Sequence, residues 1–568
     1  MTIDTTTVEV IKSALIYAAE EMGIALKKSA YSPNIKERMD HSCALFNHRR
    51  QLIAQAEHIP VHLGSMALAV RLGIETYRGT LESGDMLLLN DPYISGTHLP
   101  DLTVIAPVFS GDEITAYAAN KAHHTDVGGK APGSLAADST ELYQEGLIIP
   151  PVKLVKQGVI DPDIQALIRS NVRTPEIQMG DIRAQIAANN TGARRITELV
   201  DHYGVQALHD AMDQTMNYSE RQMREEISAM PDGVYSAQDY MEDILPGGGD
   251  VEISVTVTKK GDGITFDYSG TSKQVDKPVN APLGVTVAGI YFTLISVTDP
   301  SIPVNDGCFR PITLRIPRGC MMNPIRPAPV AGGNVETSQR NVDVLMKAFS
   351  QITPDKVPAA GQGTMNNITI GGTLPDGQPW TFYETIGGGS GGRPTGDGVD
   401  GVHVNMTNTM NTPIEALEAY LPLEFHAYRL RMDSGGPGRH RGGCGIERTW
   451  VLTSDRAVLS VMAERNKIPP WGLQDGKPGA TGVYTLRRSS GEDETLPSKC
   501  TVDIRRGDSL IIKTPGGGGF GDPFARPVEK VVEDVESGLV SPASAEADYG
   551  VVIDPGTFEV KAVNRPKS

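Results

Sequence analysis

Residues 90–129 read NDPYISGTHLPDLTVIAPVFSGDEITAYAANKAHHTDVGG, and this stretch decides how the rest of the chain is placed. Two apolar, β-branched runs, 102–109 and 114–119, flank Ser110-Gly111-Asp112-Glu113. Glycine stands there at the first central position, which a type II′ turn favours. A β-hairpin is therefore expected, pairing residues whose numbers sum to about 223. Its open end brings His98 and Asp101 opposite His123, His124 and Asp126. On a regular ladder His98 and His123 share a face and Asp101 points to the other. Pro100 interrupts the first strand, so alternation is expected to fail there. Two imidazoles and a carboxylate form a donor set for a divalent metal with positions left for water. The spacing alone leaves a second reading open, a surface hairpin whose histidines cap loops.

Outward from this stretch, composition sets the limits. The chain has 568 residues, too many for one compact core. Apolar content of 39% and charged content of 21% suit a globular protein. A net charge of −17 argues against nucleic acid as partner, because phosphate recognition wants a basic field. The longest uncharged stretch, 281–297, falls short of the roughly 20 residues of a membrane span and reads as a buried helix. Five scattered cysteines with no CxxC pair suit reduced thiols. MTIDTTTVEV has neither the basic nor the apolar segment of a signal peptide, so a cytoplasmic protein is expected.

The fold class expected is α+β, multidomain, mixing helices with mainly antiparallel sheets. An N-terminal region, 1–232, begins with an amphipathic helix over 5–30 that Pro33 ends. It continues with a hairpin at 42–54, a helix at 65–78, a strand at 85–89, and a strand pair at 145–156 broken by Pro150-Pro151. Helices dominate 161–229. A second region, 233–440, opens with the alternating hairpin VEISVTVTKKGDGITFDYSG. It then carries the buried helix, a helix near 337–350, and a glycine-, asparagine- and threonine-rich stretch over 361–440. A strand-rich third region, 441–568, ends in a helix at 528–537, a Pro-Ala-Ser segment and a short strand.

Three glycine runs stand out, and the first invites a phosphate-loop reading. GGGSGGRPTGDG at 387–398 lacks the G-K-[ST] ending and a following helix, so close backbone passage is the better expectation. TPGGGGFGDP at 514–523 has no charged ligand and reads as a tight connection at a domain edge. GPGRHRGGCG at 436–445 sets three cations near glycines, which leaves open an anion contact or a plain exposed loop.

GDMLLLNDPYISGTHLPDLTVIAPVF followed by KAHHTDVGGKAPGS resembles the hydantoinase B/oxoprolinase family. NIKERMDHSCALFN, AEHIPVHLGSM, NVRTPEIQMGDIRAQIAA, SIPVNDGCFRPI, PAPVAGGNVETSQR and TPGGGGFGDP extend the resemblance from near residue 30 to about 525. It implies a metal site of His98, Asp101 and His123 holding one zinc, manganese or iron ion. It also implies the B component of an ATP-dependent hydrolase of cyclic amides, such as hydantoins, lactams or 5-oxoproline. A metal-activated water would attack an amide activated by ATP, which is bound on a hydantoinase A-like partner in a hetero-oligomer; bicarbonate is an alternative carrier of the phosphate. His124 or Asp126 would take a proton from that water and Glu37 would orient it. Arg38 and His62 would contact substrate. His58 and His62 both match family positions, one lining the pocket and the other packing. The alternatives are the metal subunit of an ATP-dependent ketone carboxylase, and a non-catalytic scaffold for the A-type partner.

Overall fold

The computed structural model describes residues 3–56, 59–245 and 247–566; His58 lies outside them. In chain order come α1 (Thr5–Ser29), α2 (Pro33–Lys36), β1 (His41–Asn47), β2 (Leu52–Ala56), α3 (His62–Glu75), β3 (Met86–Leu89) and α4 (Pro92–Ser95). The expected hairpin follows as β4 (Asp101–Ser110) and β5 (Glu113–His123). After it come β6 (Val152–Lys156), β7 (Val159–Ile160), α5 (Pro162–Asn171), α6 (Pro175–Tyr203) and α7 (Val205–Ala229). Asp4 caps α1 by accepting from the Thr7 backbone N–H. Pro33 does not end α1 but opens α2, where its missing N–H is harmless. Of the expected strand pair at 145–156 only 152–156 becomes a strand; residues before Pro150 spend their backbone groups on loops, with Leu147 N–H donating to the Val127 carbonyl.

These strands form one antiparallel sheet in the order β2-β1-β5-β4-β3-β6-β7. It is covered on both faces, which is why nearly every residue of β1, β4 and β5 is buried. Alternation sorts the side chains. Cys43 and Leu45 pack under α1, α6 and α7, whereas Ala44 and Phe46 pack under α3. On β5 the odd positions Tyr117 and Ala119 face α3, and the even positions Ala116, Ala118 and Ala122 face the opposite layer.

The register of β4 and β5 departs from the expectation in one respect. Phe109 pairs with Ile114, as a sum of about 223 requires. A bulge between Val108 and Phe109 then shifts the ladder by one, so that Val108 pairs with Ala116 and Asp101 with His123. Gly111 at φ +61° makes the turn.

The second region contains β8 (Gly233–Leu245), β9 (Gly249–Lys260), β10 (Gly263–Asp267), α8 (Leu283–Val297), β11 (Ile312–Arg315) and α9 (Ser338–Phe349). Its four-stranded sheet runs β11-β10-β9-β8 and shares a core with α8 and α9. The expected buried helix is α8, and it lies directly on α3 and the α4 turn. A Cβ on Gly64 would meet the Ala288 backbone N at 2.8 Å, and one on Gly284 the Gly96 carbonyl at 2.6 Å. A π-helical turn, Gly333–Thr337, leads into α9.

The stretch 361–440 holds more regular structure than its composition suggests: β12 (Asn367–Thr373), β13 (Pro379–Glu384), α10 (Ile414–Tyr420) and β14 (Leu423–Leu430). These strands complete sheets with β15 (Ile446–Leu452), β16 (Arg456–Met462), β17 (Val483–Arg487), β18 (Asp493–Leu496), β19 (Lys499–Arg505) and β20 (Ser509–Lys513). The orders are β13-β12-β16-β19 and β14-β15-β20-β17-β18, over a common core. Both sheets take strands from either side of residue 441, so that expected boundary does not separate two sheets. The tail folds as α11 (Val528–Glu536), α12 (Pro542–Tyr549), β21 (Val551–Ile553) and β22 (Val560–Val563). The Pro-Ala-Ser segment is thus a helix, with Ser541 capping it.

The three glycine runs lie against one another. Gly517 N–H donates to the Gly443 carbonyl, Gly443 N–H to Ser390, and Gly392 N–H to Gly518, at 2.8–2.9 Å. A Cβ on Gly389 would sit 1.8 Å from the Gly443 carbonyl oxygen, and one on Gly517 1.9 Å from that of Ser390. Residues 514–519 are buried, so TPGGGGFGDP lies inside this bundle and not at a domain edge. All five cysteines are free, and no helix among the described residues is long and apolar enough to cross a membrane.

Candidate metal centre

Four segments of the N-terminal region converge at the open end of the hairpin. His98 follows α4, Asp101 begins β4, His123 ends β5 and His62 begins α3. Because Asp101 and His123 are direct cross-strand partners, both project from the face that looks toward α3. The regular-ladder geometry that would turn Asp101 the other way does fail, though the irregularity is the bulge between Val108 and Phe109, which moves the register by one residue, and not a break at Pro100. His98 precedes the strand and reaches the same point from its loop.

His98 Nε2 lies 3.0 Å from Asp101 Oδ1 and 3.1 Å from His123 Nδ1, and His123 Nδ1 lies 3.0 Å from the same Oδ1. Donors held at about 2.0–2.1 Å from a tetrahedral ion lie roughly 3.3 Å apart, so the spacing fits one ion. His98 Nδ1 is 3.0 Å from the Ala331 carbonyl, which can only accept. That nitrogen therefore carries the proton, and Nε2 turns its lone pair to the cluster in the neutral ring. The Ala331 peptide is itself fixed, its N–H donating to the buried carboxylate of Glu145 at 3.0 Å. Burial pushes Glu145 up to about 8.

The cluster demands positive charge. Burial opposes ionisation of Asp101, yet the charge of His98 and hydrogen bonds from His123, His62 and His98 hold it well below the usual carboxylate range. Burial lowers His62 and His123. Burial opposes the charge on His98 too, but Asp101 outweighs it and raises that group. Without a metal, a proton on His98 balances Asp101; a divalent cation would do so in its place.

Around the cluster is a cavity of about 20 Å³, room for about one water. Asp40, His62, Asn334, Tyr383 and Thr385 line it. Burial raises Asp40 against the attraction of His123 and Arg38, and the Asp40 carbonyl accepts from His123 N–H at 3.0 Å. Asn334 Nδ2 donates to Asp101 Oδ2 at 3.4 Å, and His62 Nε2 is 3.5 Å from that oxygen. The π turn brings Asn334 in because Gly333 has no Cβ; one would sit 1.9 Å from the Asn280 carbonyl oxygen. The Tyr383 ring stacks on His123 with centroids 4.6 Å apart.

The remaining expected residues are placed as follows. His124 follows His123 and so faces the other way, its Nε2 3.0 Å from Gln185 Oε1 of α6. Asp126 accepts from the N–H groups of Gly128, Gly133 and Arg173 and pairs with the Arg173 guanidinium at 2.8 Å. Neither lines the cavity. Glu37 caps α2 and does not line it either; Asp40, three residues on, does. Arg38 is buried with its guanidinium committed to the Tyr383 carbonyl and Thr385 Oγ1, both at 2.7 Å, which ties α2 to β13. His62 lines the cavity. Asn334 and Tyr383 carried no chemical signal in the sequence: the first lies in a run that only resemblance singled out, the second in an unremarked strand.

Residues 4–523 match the hydantoinase B/oxoprolinase family. The chain is 48% identical over 555 residues to an uncharacterized protein of Methanocaldococcus jannaschii, covering 97% of this chain and 96% of that one. It is 36% identical to a protein provisionally named as the B component of a D-/L-hydantoinase from a Pseudomonas species, covering 97% and 95%. It is 37% identical to 5-oxoprolinase 1 of Arabidopsis thaliana, covering 89% of this chain but only 40% of that longer protein. Its structure is similar to that of ATP-dependent caprolactamase from Pseudomonas jessenii, with TM-score 0.92, 31% identity and coverage of 99% and 98%. An acetone carboxylase structure shares the fold, with TM-score 0.92, 21% identity and coverage of 98% and 81%.

Proposed function

The chain belongs to the hydantoinase B/oxoprolinase family, and on that premise we propose that it is the metal-holding subunit of an ATP-dependent hydrolase of cyclic amides. The observation that carries this is the buried cluster of His98, Asp101 and His123, on a chain similar along its whole length to a caprolactamase. A divalent ion held there, zinc, manganese or iron, supplies Lewis acidity to a water or carbonyl oxygen. The protein's own groups do the rest. Ala331 and Glu145 orient His98. Asn334 and His62 hold Asp101 Oδ2. Asp40 adds a second carboxylate at the cavity wall, available as a further oxygen ligand or to accept a proton from the attacking water. Tyr383 closes the side of His123.

ATP binds on an A-type partner in this reading, and bicarbonate is a possible carrier of its phosphate. Two observations support the division of labour. The glycine runs spend their amide groups on one another, where a phosphate loop would present them to a ligand. A relative that this chain matches end to end carries a name that makes it one component of a hydantoinase. A second reading is ketone carboxylation, for a chain that shares the fold of an acetone carboxylase; His98, Asp101 and His123 would then hold an ion whose positive charge would stabilise oxygen anions.

The test is turnover by the chain co-expressed with its A-type partner, with ATP and either a hydantoin or lactam or a small ketone with labelled bicarbonate. Ring opening tied to ATP consumption is expected. Label retained in a stable carboxylate would select the second reading, and activity unaffected by loss of the ion would favour a scaffold.

A further inference from the structure

The small cavity at the His98, Asp101 and His123 cluster adjoins a larger one. Ile59 and His62 line both. Two other segments also divide between them: Asp40 and Thr407 line the small cavity, Ser42 and Asn408 the large one. The larger space, about 240 Å³, opens to the surface between α3, the β1–β2 hairpin and the end of α8. It lies below the roughly 300–1,000 Å³ of pockets for drug-sized ligands, which suits a single ring with a short substituent.

Its far wall is apolar: Met66 from α3, Phe292 and Ile295 from α8, and Val304 beyond it. The polar groups in it are Gln55, Asn408, Ser42, Ser296 and the imidazole of His62, whose Nε2 is turned to Asp101. Ser42 Oγ is 3.0 Å from His62 Nδ1, and Ser296 Oγ donates to the Phe292 carbonyl, so both hydroxyls are already engaged. No lysine or arginine lines the pocket among the described residues, and Arg38, the nearest candidate from the sequence, is buried and committed elsewhere.

We propose that this pocket receives the ring of the substrate and that it selects neutral cyclic amides bearing apolar substituents over rings that carry a carboxylate. This rests on the cyclic-amide reading above. Transfer of an unpaired carboxylate into such a pocket is costly, whereas each added methylene gains from burial. Continuity through Ile59 and His62 sets the amide at the metal side and the substituent against Phe292 and Val304.

The experiment compares the complex of this chain with its A-type partner on three probes: an unsubstituted hydantoin, a 5-alkyl hydantoin and 5-oxoproline. The 5-alkyl ring is expected to exceed 5-oxoproline in kcat/KM by about 10-fold or more. Ser296, exposed at the rim, tests the location. Ser296→Trp should raise KM for the alkyl ring about 10-fold more than for the unsubstituted one, and Ser296→Arg should narrow the gap to 5-oxoproline. If rings open with no preference against 5-oxoproline, or if both variants leave the ratios unmoved, this inference is overturned while the function stands. If no ring opens at all, the function fails and the inference with it.

Discussion

His123 stands directly opposite Asp101 on paired strands, its Nδ1 3.0 Å from Asp101 Oδ1, while its Nε2 has no hydrogen-bond partner among the described residues. With His98 Nε2 3.0 Å from the same oxygen and 3.1 Å from His123 Nδ1, two imidazole nitrogens and a carboxylate oxygen form a donor set suited to one divalent ion. About one divalent ion per purified chain is therefore expected by elemental analysis. The double variant His98→Ala/His123→Ala should fall below a tenth of that, and equal content in the two proteins would remove the site.

His124 checks the register. It belongs to the α6 face through Gln185, so His124→Leu should leave metal content at the wild-type level. It should cost about 1–3 kcal/mol of stability, because Gln185 Oε1 loses that partner. Metal loss without loss of stability would mean that the two faces of β5 are exchanged.

Glu336 gives a pH dependence. It is buried beside the site's outer wall, where its Oε1 accepts from Met365 N–H and Asn367 Nδ2, and Asn367 in turn accepts from Tyr383. Burial pushes its carboxyl from 4.5 up to about 8. The folded state thus keeps a proton that the unfolded chain loses, and the associated stability is full below 4.5 and lost as pH rises through 8. Glu336→Gln, which cannot lose that proton, should gain in Tm relative to wild type across pH 4.5–8. A Tm difference that stays flat over that window would refute the assignment.

The glycine bundle gives the sharpest stability contrast. Gly517→Ala puts a Cβ within 1.9 Å of a backbone oxygen with no flexible side chain to move aside. More than about 4 kcal/mol and loss of soluble protein are expected. Gly377, at φ +85° with nothing within 4 Å of its Cβ, is the control; Gly377→Ala should cost only about 1–2 kcal/mol. Soluble yield and thermal melts of the two variants decide it.

Local pattern carried much of the fold. Apolar spacing placed α1, the helices after residue 161 and α8, and alternation placed the hairpins, since each signal is the residue's own burial repeated at a fixed period. Residues 361–440 were opaque for the converse reason. Gly371 and Gly372 sit within β12 where other backbone and Pro132 press close, so the β-branched run Ile368, Thr369 and Ile370 breaks off before it reads as a full strand. Composition reported the close packing and hid the strand.

The site divides in the same way. The turn at Gly111 and the near-constant sum it imposes brought His98 and Asp101 opposite His123, His124 and Asp126, and the family resemblance singled out His98, Asp101 and His123 among them. Tertiary structure decided which side chains face inward, since a single bulge at Val108 inverts the parity of everything beyond it. It also decided the surroundings. Asn334 and Tyr383 arrive from more than 200 residues away, and the buried guanidinium of Arg38 donates to the Tyr383 carbonyl of β13. Local sequence records the period and the turn, whereas contacts between distant segments depend on how whole elements stack, which no short window contains.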